Sequence, residues 1–404
     1  MTTKPAGAAQ EGLSLIELMV AITISLLMSL AIFSALSGSE GRKRTITSIN
    51  DLNQVGTFAT YTLDKILRSA GSGFTQNAEF TYGCPLRASL ASAGTILPFL
   101  GEMPPPFAAM NTTLGGNYRL APVMIAKDAT TPNISAAGLA SARSDVLIVM
   151  AGSAGLGEVS TLFIAPATAS KITLQNTVSF QKDDMILVSD TPGPAGPKPC
   201  MIQQIAPTFN SAVTPGALAL AGDYWANPIA GSDLTTYSTL ANVLSLGSAT
   251  SGNPPAFSLY GVGDNNTMFA YDLLQMGAYN VTQEVADGIF EMHALYGVDA
   301  DGDGRVDRWA DPGTDAYTIT KLQSGTSASV ATLRSIKAIR LGLILRTSLP
   351  EKVTTPPATS GPLTLFSDLG ASFTYSRPLA ASEQNFRYRV IETTVPLRNP
   401  LLLE

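Results

Sequence analysis

The chain has 404 residues, 45% of them hydrophobic and only 14% charged, against about 25% charged in an ordinary soluble domain. A formal charge of −6 excludes a nucleic-acid binder held mainly by phosphate contacts. One histidine, His293, excludes His-rich metal cages and most triads, and two cysteines, Cys84 and Cys200, exclude a Cys-rich zinc module or a dense disulfide scaffold.

Much of the excess hydrophobicity sits in one run. Leu13 to Leu36 reads LSLIELMVAITISLLMSLAIFSAL, 36 − 12 = 24 residues without Gly or Pro and with one charge, Glu17. As a helix it would span about 36 Å, enough to cross a bilayer. A secretory signal has a shorter apolar region followed by a small-residue cleavage site, which is absent here. Glu17 is what a plain anchor leaves unexplained, because a carboxylate in a membrane span costs roughly 2.5–3.5 kcal/mol and usually has a partner. If the chain were cut after Gly12, Leu13 would carry a new α-amino group. Glu17 of one helix could then pair with the ammonium of a neighbour and fix axial register.

The stretch GLSLIELMVA, Gly12 to Ala21, resembles the class III signal of type IV prepilins and type II secretion pseudopilins. The resemblance implies cleavage after Gly12 by a prepilin peptidase, N-methylation of Leu13, and a subunit-docking role for Glu17. Leu13 stands where Phe is more usual, and the leader carries Glu11 and a single basic residue, Lys4. Arg42, Lys43 and Arg44 follow the span, and by the positive-inside rule they would hold the C-terminal part in the cytoplasm. The prepilin motif implies the opposite orientation and is given precedence.

From Ile46 to Ala70, apolar residues recur in steps of three and four, which predicts an amphipathic helix stopped by Gly71, Ser72 and Gly73. The expected organisation is a leader, 1–12; a membrane or fibre-core helix, 13–37; an amphipathic helix, 38–73, with a bend near Gly38 to Gly41; and a β-rich head, 74–404. Strands are predicted at Asp145–Met150, Glu158–Ala165, Asp184–Ser189, Met201–Ile205, Met268–Leu274, Phe290–Tyr296, Ile336–Arg346 and Tyr388–Val395. In Ile336–Arg346 the alternation has one exception, Ile344. Pro/Gly/Ala/Ser/Thr-rich stretches near 85–143, 207–266 and 350–384 read as insertions. The fold class expected is α+β, with a long N-terminal helix on an antiparallel sheet, the pilin plan.

The resemblance extends further. RSAGSGF (Arg68 to Phe74), SDVLIV (Ser144 to Val149), LYGVDADGDGRVDRW (Leu295 to Trp309), IKAIRLGLILRTS (Ile336 to Ser348) and RVIETTVPLRNP (Arg389 to Pro400) occur in an order similar to PilW-type minor pilins.

The sharpest polar motif is Asp299-Ala-Asp301-Gly-Asp303-Gly-Arg305-Val-Asp307. Counted as a calcium loop it places Asp299, Asp301, Asp303, the Arg305 carbonyl and Asp307 at ligand positions and Gly304 at the turn, but position 12 is Ala310, with Asp311 next door. The two readings are a Ca2+ loop and a solvated Asp/Gly turn. Cys84 and Cys200 are expected to form a disulfide, which an extracytoplasmic head permits. His293, on an alternating segment beside Glu291, reads as a strand residue. Gly261-Val-Gly263 lacks the third glycine of a dinucleotide fingerprint, and no P-loop, nucleophile elbow or HExxH is present.

The chain is therefore expected to be no enzyme. The resemblance implies a minor pilin of the bacterial inner membrane, with its head in the periplasm, that joins other minor pilins and the major pilin in priming pilus assembly near the tip. The alternatives are a J-like type II secretion pseudopilin and a membrane-anchored adhesin or binding module. A periplasm-active reporter fused after Gly41 is expected to be active; activity of a cytoplasmic reporter at the same junction would contradict this orientation.

Overall fold

The computed structural model describes residues 14–130, 144–154, 159–193, 197–250, 252–275, 281–351 and 357–402. Gly12 and Leu13 lie outside them. The chain divides into two units, 1–51 and 52–404.

Helix α1, Leu15–Ser69, runs through Gly38 and Gly41 as one element. Within the first unit its segment Leu15–Leu36 has mean hydropathy 2.4, with none of it buried. Within the second unit the helix turns to packing. Leu52, Ala59, Leu63 and Leu67 are buried on one face, at the spacing that aligns residues along one side of a helix. Gly56 lies on the same face. A Cβ there would stand 2.5 Å from Ile391 Cδ1 and 3.1 Å from Leu345 Cδ2, so the helix backbone lies directly on strand side chains. At its end, the Asn399 side chain donates to the Ser69 and Ala70 carbonyls at 3.3 and 2.9 Å, which satisfies acceptors a helix terminus leaves open.

The head is built on nineteen described strands. In chain order they are β1 Leu86–Leu90, β2 Gly94–Leu97, β3 Val123–Ala126, β4 Val146–Ala151, β5 Thr161–Leu162, β6 Lys171–Thr173, β7 Asp184–Ser189, β8 Cys200–Gln204, β9 Ala217–Ala219 and β10 Asn242–Ser248. There follow β11 Ala256–Val262, β12 Met268–Asp272, β13 Gln283–Ala286, β14 Ile289–Val298, β15 Arg308–Ala310, β16 Ile336–Arg346, β17 Leu363–Leu365, β18 Tyr375–Arg377 and β19 Tyr388–Pro396. Three main sheets have the orders β2-β1-β8-β7-β10-β5, β13-β12-β11-β4-β3 and β15-β14-β16-β19. Among the described pairs only β1 and β8 run parallel, so the architecture is α+β with mostly antiparallel sheets.

Strands β7, β8 and β10 of the six-stranded sheet are buried on both faces. Met185 and Leu187 of β7, Cys200 and Ile202 of β8, and Leu244 and Leu246 of β10 join the main core, which α1 shares. Their neighbours Ile186, Val188, Met201 and Val243 join a second cluster roofed by β6, β9 and Phe209, Ile229, Leu234 and Tyr237. Successive side chains of a strand point to opposite faces, and both faces here are covered. That is why these strands read as continuous apolar runs. Residues 207–266, expected as an insertion, hold all of that roof but β6, and also β10 and β11. The 85–143 stretch likewise supplies β1, β2, β3 and a short helix, α2, Ala108–Leu114. Glu158, the start of one expected strand, lies outside the described residues, and among the described part of that run only Thr161–Leu162 is strand.

The four-stranded sheet is also double-faced. Ile339, Leu341, Leu343 and Leu345 enter the main core. Ile344 packs on the other side with Phe290, Leu295, Leu365 and Phe366, under the β17–β18 hairpin. The exception in the alternation is thus a residue buried on the second face. Gly342 lets the hairpin approach, since a Cβ there would meet Phe366 Cζ at 2.8 Å.

Cys84 and Cys200 form a disulfide with Cα atoms 5.6 Å apart and a sequence separation of 116. It staples the entry to β1 onto β8, beside the parallel pair Leu86↔Cys200. Replacing both cysteines by serine is expected to lower stability by about 4–5 kcal/mol on the chain-entropy account, read as a shift in urea unfolding of the full chain in detergent; an unchanged midpoint would contradict it.

Candidate functional site

The start of α1 is a capping box. Ser14 Oγ accepts from Ile16 N at 3.2 Å, and Ser14 N donates back to Glu17 Oε2 at 3.0 Å. The spacing Ser-x-x-Glu allows this reciprocal pair to satisfy two of the donors that a helix N-terminus leaves without intrahelical partners. Glu17 therefore has a role inside its own chain besides the one expected between chains. From Leu15 to Leu36 its neighbours are exposed apolar residues, among them Ile16 at 71% and Phe33 at 72%.

The aspartate loop lies between β14 and β15. Asp299 is buried at its root; Asp301, Asp303, Arg305 and Asp307 are exposed. Asp299 accepts from Gly302 N at 2.7 Å and Gly304 N at 3.0 Å, Asp307 from Ala300 N at 2.7 Å, and Asp303 from Arg305 N at 2.8 Å. Positive φ at Gly302 and Gly304 shapes the turn that aims these amides inward. Burial pushes the Asp299 carboxyl up, but the two glycine amides and the Lys337 ammonium outweigh it and hold it below the usual carboxylate range. Lys337 Nζ stands 3.9 Å from Asp299 Oδ2 and donates to the Pro400 carbonyl.

Asp299, Asp301 and Asp307 each offer an oxygen within 4.8 Å of the others. Asp303 is outside that group. Ala310, at the position where a calcium loop carries its bidentate carboxylate, is a residue of β15 paired with Tyr296. Asp311 is held elsewhere, by Lys127 Nζ at 2.7 and 2.8 Å and by Gly313 N. Three of the four aspartates thus converge.

A second polar cluster was not legible beforehand. His293 of β14 is buried; its Nδ1 lies 3.6 Å from Asp145 Oδ1 and its Nε2 3.5 Å from Glu291 Oε2, with the ring 3.9 Å from that of Tyr375. Glu291 also accepts from Arg377 Nε at 2.5 Å and Tyr375 OH at 2.8 Å, and Arg377 reaches Glu383 at 2.9 Å. Asp145 accepts from the backbone of Asp128 and Ala294. Burial pushes the imidazole down, but Asp145 and Glu291 outweigh it and raise it to about 9. The imidazolium and the Arg377 guanidinium lie among Asp145, Glu291 and Glu383. This ionic lock ties the start of β4 to β14 and β18. Asp128, Asp145 and His293 also lie within ligand spacing of one another, but a protonated imidazole has no lone pair to give a metal. The sequence signal was the i, i+2 spacing of Glu291 and His293, which puts both on one face of a strand.

Residues 259–399, about a third of the chain, match the family model described as Type IV Pilus-assembly protein W. The match runs from β11 past β19 and includes the aspartate loop, the four-stranded sheet and its hairpin. It is consistent with a PilW-type pilus protein, and that family is one of pilus assembly, not of enzymes. No curated protein and no solved structure matches.

Because the folded-state value of His293 lies above the ordinary 6.5, the lock contributes fully below that pH and is lost as pH rises through about 9. The loss is expected to be about 3 kcal/mol. Urea melts between pH 6.5 and 9.5 should show it, and His293→Gln should flatten the slope; an equally steep slope in the variant would contradict the assignment.

Proposed function

We propose that the chain is a minor pilin, made as a prepilin, cut after Gly12 and N-methylated at Leu13, that joins other minor pilins and the major pilin in a complex priming the fibre near its tip. The single observation that carries this reading is the uncovered apolar segment Leu15–Leu36 at the start of the helix whose later residues pack under the PilW-matched sheet. Such a segment is at rest in two surroundings, lipid and a bundle of like helices. In this proposal, assembly moves it from the first to the second, with the head remaining on the periplasmic side and then at the cell surface.

Glu17 would guide that transfer. The bond to Ser14 N keeps the carboxylate at the helix N-terminus. Meeting a neighbour's α-ammonium would replace an amide donor by a charged one, and charge-assisted hydrogen bonds are roughly twice as strong as neutral ones. Two substitutions separate the roles. Glu17→Gln keeps a capping-box side chain and loses the charge, whereas Glu17→Val loses both. Both variants are expected to be processed and to fail in piliation; normal piliation by Glu17→Gln would assign the residue to helix capping alone.

Deleting the chain should abolish pili and leave secretion intact. Lost secretion with normal pili would favour the J-like pseudopilin, and normal pili with lost attachment the adhesin.

Calcium at the aspartate loop is a separate proposal, favoured by the convergence of Asp299, Asp301 and Asp307. With the Arg305 carbonyl they would offer the hard oxygen ligands this cation takes. Titration calorimetry of the full chain should give heat with Ca2+ that Asp301→Asn abolishes; no heat and no thermal shift would remove the claim.

A further inference from the structure

The four-stranded sheet ends in a strand unlike the other sheet edges. In the three main sheets the remaining edge strands are β2, β5, β13, β3 and β15, of four, two, four, four and three residues. The all-buried β3 is also capped from outside its sheet, Ile125 N donating to Tyr296 OH. β19 has nine residues. It pairs with β16 over nine consecutive positions with no bulge, although β16 is irregular toward β14 at two places. Its residues Val390, Ile391, Thr393, Thr394 and Val395 are β-branched, and it carries no lysine. Its one proline is the last residue. Short length, bulges, lysines and internal prolines are among the ways proteins blunt an open edge; β19 has none of these, and its two charged residues, Arg389 and Glu392, are each bonded within the chain.

The register shows which groups face outward. Thr347 N donates to the Arg387 carbonyl at 3.0 Å and Leu397 N to the Lys337 carbonyl at 2.8 Å, one pair at each end of the ladder. Bonded pairs alternate in an antiparallel ladder. Residues 389, 391, 393 and 395 therefore exchange bonds with β16, and Tyr388, Val390, Glu392 and Thr394 turn their N–H and C=O groups away. Among the described residues nothing bonds these four outward main-chain sets. Arg389, Val390 and Thr394 are exposed.

We infer that β19 is a docking edge that takes one extended segment of a neighbouring pilus subunit as an added strand. Four donor–acceptor sets repeating every second residue, about 6.8 Å apart, fit an extended backbone and no compact ligand. Each face of the edge carries polar side chains, with Val390 the exposed large apolar residue among them. Glu392 is bonded to Arg340 on one, and Arg389 to Asn53 of α1 on the other. Main-chain pairing, not an apolar anchor, supplies the affinity. Pro396 has no N–H and closes the edge at its end. The inference rests on the chain working within a pilus complex.

The test is the full-length Val390→Pro/Thr394→Pro variant, which removes two outward N–H groups and leaves the bonds to β16 in place. It is expected to accumulate with its Cys84–Cys200 disulfide formed, while co-purification of other pilus subunits from detergent-solubilised membranes falls by at least about tenfold and surface pili are lost. Accumulation with wild-type co-purification and piliation overturns the inference. If the variant is degraded, p-benzoylphenylalanine replacing Thr394 in the full chain decides: an adduct mapped to an extended segment of a pilus subunit is expected, and no adduct in piliated cells overturns it. Unaltered piliation on deleting the chain defeats the pilus reading instead; loss of pili on deletion with normal piliation of the proline variant defeats only the edge.

Discussion

Uncovered apolar surface along Leu15–Leu36 is the constraint from which the rest follows. Fully burying each large side chain is worth about 1.5–3 kcal/mol, and a segment with none of its residues buried leaves that stabilisation unused within its own chain. The same helix then changes its manner of burial. From Leu52 on, Leu52, Ala59, Leu63 and Leu67 are buried on its own head while Phe58 and Tyr61 stay exposed, and Gly56 is bare so that the backbone can lie against Leu345 and Ile391. One continuous helix thus has an exposed apolar segment in its first part and a buried face in its second.

The sheets repeat that economy on a smaller scale. β7, β8, β10 and β16 are buried on both faces, which requires two separate covers: α1 with the main core on one side, and short-stranded roofs on the other. The roofs bring large apolar residues of their own, Ile172, Phe209, Leu218, Ile229 and Leu234 over one sheet and Leu365 and Phe366 over the other.

The strands legible in the sequence were those with strong local amplitude. Asp184–Ser189 and Ile336–Arg346 match their predicted bounds, because runs of Ile, Leu and Val bounded by Asp, Ser or Arg leave little ambiguity. β10 and β11, ANVLSLGS and AFSLYGV in their settings, were hidden by Gly, Ser and Ala, although they are central and buried. Ile344 was visible only as a break in a pattern, since a second cover cannot be read from one strand. The same limit hid the ionic lock. Glu291 and His293 are two residues apart, but Asp145 and Arg377 come from 148 residues before and 84 after His293. In the aspartate loop, spacing foretold the turn, and the backbone amides of Gly302, Gly304 and Ala300 then bonded the carboxylates.

Asn399 has a meaning for the order of events as well as for the helix it caps. Its side chain closes on Ser69 and Ala70, about 330 residues earlier, and Lys337 reaches the Pro400 carbonyl from the middle of the head's sheet. Contacts of that separation carry the full entropy of closing a long loop before they return anything. In a chain emerging N-terminus first, the last turn of α1 and the start of β16 would wait for these partners. The closure of α1 therefore depends on Asn399, and a chain stopped short of it would leave the Ser69 and Ala70 carbonyls without that donor.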